Sequence, residues 1–402
     1  MTSHTVPMYV VILLPFLTLL LLFLLTLFYF LYLLRSPSSS SQSLNRSYYQ
    51  NKTVWITGAS SGIGKALAIQ YHTVGAKLIL SSRDTKQLQI VQQLCIDSSS
   101  AAAASTSTDN KARIKTYVPD ILALDLAALA SDYEVAKDIV AKAVELSAKG
   151  KEEEESGAQS GIDILINNAG ASVRGSVVET QLSVDHTVMN INYFGSVALT
   201  KAILPHMLNR KRRTSPSSSS SSPNKASQDP CHIVFVSSIQ GYLSLGMRSS
   251  YSASKHAINA FADALRYEVS SLPSSSSSSS PISITTVSPG YVATNLSLNA
   301  FTSTGSKYNR MDANTSQGMS PEYVAEVLIN SVRTKEKEVK LCEKKFKIGI
   351  LLKVLWPSML EKIMVKRCRE EREKLEKQEK EGEGQQKQGT GNVGVQKEEK
   401  KE

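Results

Sequence analysis

The sequence predicts an α/β domain, a single doubly wound parallel sheet, preceded by one transmembrane helix. Three observations carry this reading. Between positions 53 and 333, short apolar runs alternate with helical patterns, the order that builds βαβ units. The first run enters a glycine-rich turn that opens directly into a helical pattern. Ahead of both, residues 9–34 are almost entirely Leu, Phe, Val, Ile and Tyr, interrupted only by Pro15, Thr18 and Thr26.

The apolar segment comes first along the chain. As a helix it would rise roughly 39 Å at about 1.5 Å per residue, more than the ~30 Å hydrocarbon core of a bilayer. A cleaved secretory signal carries an apolar stretch of only about 7–15 residues. Residues 1–35 are therefore expected to be a retained membrane anchor. No Lys or Arg precedes the segment, whereas Arg35, Arg46 and Lys52 follow it. The positive-inside tendency then places everything after the anchor in the cytosol. Sequons at Asn45, Asn51, Asn295 and Asn314 would matter only in the opposite orientation.

A Ser-rich linker, 36–50, leads into the main domain, 51–340. Strands are predicted at 53–57, 77–81, 121–124, 162–166, 232–237 and 282–287, with helices at 65–74, 135–148, 186–208, 252–271 and 321–333. Four low-complexity blocks, 98–110, 149–161, 210–230 and 274–281, fall between these elements and read as loops. Lengthening a surface loop costs only about 0.6 kcal/mol per doubling, so such insertions are tolerated. Residues 341–368 form an apolar, amphipathic extension. Lys347, Lys353, Pro357 and Lys362 interrupt it, which argues against a second span and for an interfacial helix or a hydrophobic lip at a site mouth. The charged tail, 369–402, reads as disorder or solvated helix.

The chain of 402 residues is 41% apolar and carries a net charge of +10, and that tail is dense in charged residues of both signs, alternating Lys, Arg and Glu. No basic run is interleaved with aromatic residues, so nucleic acid is not an expected partner. Cys95, Cys231, Cys342 and Cys368 lie far apart, in no spacing that suggests a metal site or a disulfide framework.

The chemistry begins at Val54-Trp55-Ile56-Thr57, a buried-strand pattern leading into Gly58-Ala59-Ser60-Ser61-Gly62-Ile63-Gly64. A tight glycine turn between strand and helix lets backbone N–H groups and the helix amino end hold a pyrophosphate. Four further stretches follow: Asn167-Asn168-Ala169-Gly170, Asn192-Tyr193-Phe194-Gly195, Ser238 thirteen positions before Tyr251-Ser252-Ala253-Ser254-Lys255, and Pro289-Gly290-Tyr291-Val292-Ala293-Thr294. A Tyr and a Lys four apart on a helix are commonplace in isolation. Together and in this order, the motifs closely resemble the short-chain dehydrogenase/reductase family over roughly residues 52–333.

That resemblance implies a Rossmann-type fold and a set of roles. Gly58, Ser60, Ser61, Gly62, Ile63 and Gly64 would bind the dinucleotide. Asn168, Ala169 and Gly170 would line its adenosine side, and Asp125 with Leu126 would meet the adenine. Pro289, Gly290, Val292 and Thr294 would contact the nicotinamide carboxamide. Tyr251 would be the acid/base, Ser238 a donor to the substrate oxygen, Lys255 a partner of both Tyr251 and the nicotinamide ribose, and Asn192 a water-holding link in the proton relay. A Tyr hydroxyl has an ordinary pKa near 10. The Lys255 ammonium, one helical turn away, is expected to favour the phenolate. No metal is called for.

Cofactor choice is read at the end of the second strand. A carboxylate there would bond the ribose 2′-hydroxyl of NAD. This chain has Ser82 followed by Arg83, whose guanidinium suits a 2′-phosphate, so NADP(H) is expected. Residues 291–322, with Ser237-Ser238-Ile239-Gln240-Gly241, resemble the membrane-anchored branch of 7B type, which is linked to reduction of acyl- or alkyl-dihydroxyacetone phosphate. The resemblance thus implies a lipid-like ketone as substrate and the endoplasmic reticulum, or else the peroxisome, as the membrane. A hydroxysteroid or retinoid dehydrogenase and a non-catalytic NADP(H)-binding membrane adaptor are the alternatives. The family's usual four-helix interface leaves a homodimer open. Arg174, Arg248, Lys307 and Arg310 are candidates for a cationic pocket rim.

Overall fold

Strand β1 (Thr53–Thr57) shows how the sheet is built. Its side chains alternate, with Val54 and Ile56 packing into one apolar cluster and Trp55 into another. A strand buried on both faces needs cover on both, and the chain supplies it with helices. The computed structural model describes residues 8–34, 46–104, 117–149, 161–210, 229–272 and 282–390.

The remaining strands are β2 (Lys77–Ser82), β3 (Asp120–Ala123), β4 (Ile164–Asn167), β5 (Val173–Arg174), β6 (Cys231–Val236), β7 (Ile282–Pro289), β8 (Phe301–Thr302) and β9 (Glu338–Leu341). Seven of them form one sheet in the order β3-β2-β1-β4-β6-β7-β9, every pair parallel. β5 and β8 pair separately above its carboxyl edge. The helices are α1 (Met8–Leu34), α2 (Arg46–Tyr49), α3 (Gly62–Thr73), α4 (Thr85–Ala104), α5 (Leu126–Ser131), α6 (Tyr133–Ala148), α7 (Leu182–Met189), α8 (Gly195–Asn209), α9 (Ser249–Ser271), α10 (Ala313–Ser316), α11 (Pro321–Thr334), α12 (Lys344–Leu355) and α13 (Pro357–Thr390).

One face of the sheet is closed by α3, α4 and α11 through Leu67, Tyr71, Leu88, Val91, Leu328 and Val332. Tyr49 of α2 joins this layer and donates its hydroxyl to the Ile329 carbonyl. The other face is closed by α5, α6, α8 and α9 through residues such as Leu129, Ala136, Leu199, Ile203, Ile258 and Leu265. The strand order reverses between β1 and β4. In open parallel sheets that switch point, at the carboxyl ends of the strands, is where ligands bind.

Several expectations change. The helical pattern at 186–208 is not one helix: α7 and α8 are separated by a π-turn, Asn190–Phe194. The low-complexity block at 98–110 is not all loop, because α4 continues through its Ala-rich start to Ala104. β9 was not foreseen, since Glu-Val-Lys-Leu at a sheet edge alternates over only four residues. The 341–368 extension is two helices, α12 and the start of α13, and α13 carries the charged tail on to Thr390. The insertions at 150–160, 211–228 and 273–281, most of the Ser-rich linker and residues 391–402 lie outside the described residues.

The transmembrane helix is not shown. The backbone of α1 is helical throughout, but its described side chains cover only 13–26 and 28, all exposed. Among the described residues no helix is long and apolar enough to cross a membrane.

Candidate active site

A cavity of about 1040 Å³ opens along the carboxyl ends of β1, β2, β4, β6 and β7. At its floor β1 gives way to the glycine turn. Gly58 and Gly62 both have positive φ, +66° and +52°, which favours glycine. A β-carbon on Gly58 would stand 2.7 Å from the Ala169 Cα, and one on Gly62 would stand 2.9 Å from the Thr294 methyl. Ser61 caps α3 with extended backbone and no side-chain hydrogen bond, so the first N–H groups of α3 remain for a ligand. Gly58, Ser60, Ser61, Gly62 and Ile63 line the cavity as expected. Gly64 does not. Its missing β-carbon would lie 2.2 Å from the Gly58 carbonyl oxygen, so this glycine permits close packing of helix and turn.

Asn168 fastens β4 to that turn. Its Nδ2 donates to the carbonyls of Thr57 and Gly58, at 3.0 and 3.2 Å, while its own N–H donates to Thr57 Oγ1 at 3.0 Å. Ala169 and Gly170 continue along the cavity wall. Asp125 caps α5 by accepting from the Ala127 N–H at 3.0 Å and, with Leu126, closes the far side. Arg83 is exposed at the same end. Its neighbour Asp84 also lines the cavity, one carboxylate oxygen accepting from the Gln87 N–H at 3.0 Å to cap α4. Pro289, Gly290, Val292 and Thr294 line the opposite wall.

Ser238, Tyr251 and Lys255 meet at the deeper end. Ser238, two residues beyond the end of β6, has extended backbone and accepts from the Gln240 N–H at 3.2 Å, fixing its hydroxyl toward the cavity. Tyr251 lies in the first turn of α9, 6% exposed, and lines the same end of the cavity near the Ser238 hydroxyl. Lys255, one turn on, donates to the Val236 carbonyl at 2.9 Å, its Nζ 5.8 Å from the centre of the Tyr251 ring. Burial pushes the Lys255 ammonium down to about 8. Burial raises the Tyr251 phenol above its ordinary value, opposed by the Ser238 hydrogen bond and by the positive charges of Arg174 and Arg248. Lys255 spends a hydrogen bond on the backbone, and Arg174 and Arg248 add positive charge that favours the phenolate against burial.

Asn192 sits inside the π-turn, a geometry frequent at functional sites. Its Oδ1 accepts from the Ala171 N–H at 2.7 Å, and its Nδ2 donates to the Ala171 carbonyl at 2.8 Å and to Ser254 Oγ at 2.9 Å. It does not line the cavity directly. A β-carbon on Gly170 would lie 3.2 Å from Asn192 Oδ1 and 3.7 Å from Lys255 Nζ, so the two side chains flank the same glycine.

The expected cationic rim separates into two groups. Arg174 and Arg248 are buried walls of the cavity and Lys307 lines it, whereas Arg310 is exposed and does not. Sequence reasoning missed Lys86, Gln240 and Tyr291 as lining residues. Tyr291 could have been found inside the motif at 289–294. Gln240 and Lys86 carry no signal of their own.

A doubly wound sheet with an uncapped helix end over a glycine cradle, and a Ser-Tyr-Lys set beyond it, defines a dinucleotide-dependent oxidoreductase. The family described as short chain dehydrogenase matches residues 52–125 and 151–304. Dehydrogenase/reductase SDR family member 7B of Rattus norvegicus is 38% identical over 328 residues, covering 82% of this chain and 85% of that protein. The 7-like member of Drosophila melanogaster is 38% identical over 325 residues, covering 80% and 82%. A Shigella flexneri short-chain dehydrogenase complexed with NADP aligns at a TM-score of 0.53 and 20% identity, over 75% of this chain and all of that one. One from Burkholderia phymatum in complex with NAD aligns at 0.50 and 19%, over 73% and 89%. At such identities these structures bear on the fold alone. The chain belongs to the short-chain dehydrogenase family.

Proposed function

We propose that this chain is an NADP(H)-dependent reductase of a membrane-partitioned, lipid-like ketone, working in either direction between ketone and secondary alcohol. The observation that carries the reaction type is the Ser238–Tyr251 pair lining one cavity, with Lys255 buried behind it, at the deep end of a space whose other end is a glycine cradle suited to a pyrophosphate. A bound nicotinamide dinucleotide supplies or takes up the hydride. In reduction, Tyr251 gives its hydroxyl proton to the carbonyl oxygen as negative charge develops there, and Ser238 donates a hydrogen bond to the same oxygen. The Arg174 and Arg248 charges hold the Tyr251 proton more loosely than burial alone would. In oxidation the same groups run in reverse.

The choice of NADP(H) over NAD rests on Arg83, with Lys86 beside it on the cavity wall and the Asp84 carboxylate committed to capping α4. At Ser82, the position where a carboxylate would bond a ribose 2′-hydroxyl, there is no acidic side chain, and Asp84 on the cavity wall has one oxygen held by the Gln87 N–H.

A lipid substrate is supported by two features outside the cavity. One is the apolar sequence of α1, which we take as the single-pass anchor, with the catalytic domain on the cytosolic side of the endoplasmic reticulum or peroxisomal membrane. The other is the elbow between α12 and α13, where Val354, Leu355, Trp356, Ile363 and Val365 are exposed beside Lys353, Lys362 and Lys366, a composition suited to the headgroup layer. Acyl- or alkyl-dihydroxyacetone phosphate is the substrate we favour, by similarity to relatives of 7B type.

The test is NADPH oxidation by detergent-solubilised full-length protein, offered acyl-dihydroxyacetone phosphate or a steroid ketone, with Tyr251→Phe as control. Turnover of the phosphorylated ketone that disappears in the variant is the expected result. Turnover of the steroid alone would establish a hydroxysteroid-type enzyme instead. NADPH binding with no turnover of either would favour a non-catalytic adaptor.

A further inference from the structure

Beyond Tyr251 the cavity ends on Arg174 of β5 and Arg248, the residue preceding α9, with side chains only 6% and 4% exposed. Buried guanidiniums stay charged and need acceptors. Arg174 is fully provided for. Its Nη1 donates to Ser172 Oγ at 2.7 Å and to the Val173 carbonyl at 2.8 Å. Its Nε and Nη2 both reach Asp312 Oδ2, at 3.0 and 2.6 Å.

Arg248 is not. Its Nη2 is shared between Asp312 Oδ2 at 3.2 Å and Glu371 Oε1 at 3.1 Å, its Nη1 makes a long bond of 3.4 Å to the Tyr291 hydroxyl, and its Nε is buried without a partner. Nε and Nη2 form the edge that grips an oxyanion with two parallel bonds. Glu371 engages one donor of that edge and leaves the other unused.

The two acceptors also differ in origin. Asp312 lies in the segment leading into α10 and serves both arginines. Glu371 reaches in from α13, outside the catalytic domain, and is 25% exposed against 13% for Asp312. A small cavity lined by Arg248, Met364, Arg367, Cys368 and Glu371 separates part of α13 from the domain beneath.

We infer that Arg248, backed by Arg174, is an oxyanion-binding subsite for the substrate, and that Glu371 occupies it until a phosphate-ester or carboxylate group of the substrate takes its place. The incoming group gains both Nε and Nη2, where Glu371 has Nη2 alone, and Glu371 returns to water at the rim. The reacting carbonyl is then held between this subsite and the Ser238–Tyr251 pair, which selects ketones carrying an anion a short distance from the carbonyl. The inference rests on the proposed reading of this cavity as the substrate site. It adds the anion, its receptor and a carboxylate that competes for it.

The experiment uses the full-length protein in detergent, saturated with NADPH so that the cofactor's own phosphate sites are filled. Inorganic phosphate, and acetate in a parallel arm, are titrated into wild type, Glu371→Gln and Arg248→Lys, with binding read by calorimetry. Removing the competing charge should tighten phosphate at least tenfold in Glu371→Gln. Losing the two-pronged edge should weaken it at least tenfold in Arg248→Lys. Tighter phosphate with unchanged acetate would assign the subsite to a phosphate ester, and the reverse to a carboxylate. Unchanged or weaker binding of both ions in Glu371→Gln overturns the inference. This readout needs no turnover, so it stands even where acyl-dihydroxyacetone phosphate proves not to be the substrate. Where a phosphorylated ketone is turned over, Glu371→Gln should lower its KM and leave that of a neutral ketone alone. A merely structural Glu371 would shift both.

Discussion

Lys255 donates its ammonium to the Val236 carbonyl at 2.9 Å, from a position one helical turn beyond Tyr251. The bond anchors the lysine to the last residue of β6, two positions before Ser238, so the proposed donor and acid/base residues share one scaffold. Burial has lowered the lysine to about 8, so it is charged below that pH and neutral above it. A cofactor ribose bonded by the ammonium should bind well at pH 7 and less well as pH rises through about 8. Lys255→Met should bind NADPH about tenfold more weakly at pH 7, the loss of one charged hydrogen bond of about 1.5 kcal/mol. It should also lack the break near pH 8. Fluorescence titration of NADPH from pH 6.5 to 9.5 reads both, and a break retained in the variant would remove Lys255 from the cofactor site.

Tyr251→Phe should keep NADPH affinity while kcat falls by at least about 10²-fold, the range lost with a positioned general acid. Ser238→Ala removes the donor to the developing alkoxide and should cost about 10²–10³-fold. Because both hydroxyls line the same end of the cavity and are proposed to serve one oxygen, the double variant should lose far less than the product of the two. Multiplicative losses in single-turnover assays would mean the residues act independently.

The proposed preference for NADP(H) rests on Arg83. Replacing it by Asp offers a carboxylate to a ribose 2′-hydroxyl and repels a 2′-phosphate. The ratio of kcat/KM for NADPH over NADH should fall by at least about tenfold, the worth of a charge-assisted hydrogen bond of about 1.5–3 kcal/mol. An unchanged ratio would leave the exposed guanidinium as surface charge only.

Gly64 shows where reading motifs from sequence stops short. Its place in the Gly58–Gly64 turn predicted a cofactor contact, yet its missing β-carbon faces the Gly58 carbonyl at 2.2 Å. The turn's purpose was legible because strand, glycines and helix are contiguous. The division of labour among the glycines was not, since it depends on how α3 seats against β4 and Asn168. Gly64→Ala should therefore push α3 away from the turn. It should lower stability by about 1–3 kcal/mol through overpacking, weakening NADPH without touching it. A variant as stable as wild type by urea denaturation would show that the turn can yield.

The same boundary runs through the rest of the molecule. β1, β2, β4, β6 and β7 were visible because each is a short apolar run with both faces largely buried, and β3, only half-buried, still showed as an apolar run. β9 was hidden because Glu338 and Lys340 leave only Val339 and Leu341 to mark it. Ser238, Tyr251 and Lys255 were found by order and spacing. Arg174 and Arg248 were suspected as a rim and proved to be walls, because their burial depends on Asp312 and Glu371, far along the chain. The π-turn that seats Asn192 packs against α5 and α9, elements distant in sequence, and no local pattern announces it.

His232 makes the last prediction, in the body of the sheet. It lies on β6 between β4 and β7, 2% exposed, its Nε2 2.8 Å from Thr285 Oγ1. Burial, with Lys52 and Lys335 nearby, holds it down to about 3. In the unfolded chain it titrates near 6.5. Between those values the unfolded state binds a proton that the folded state refuses. Its contribution to stability is therefore complete above about pH 6.5 and drains away as pH falls toward 3. At about 1.4 kcal/mol per pH unit, the residue alone should cost about 2 kcal/mol on going from pH 7 to pH 5. His232→Gln offers no proton to lose, so its stability should fall by about that much less over the same interval. Urea denaturation of both proteins at the two pH values measures the difference. Equal losses would mean that His232 can be protonated in place, with Thr285 or water relieving the charge.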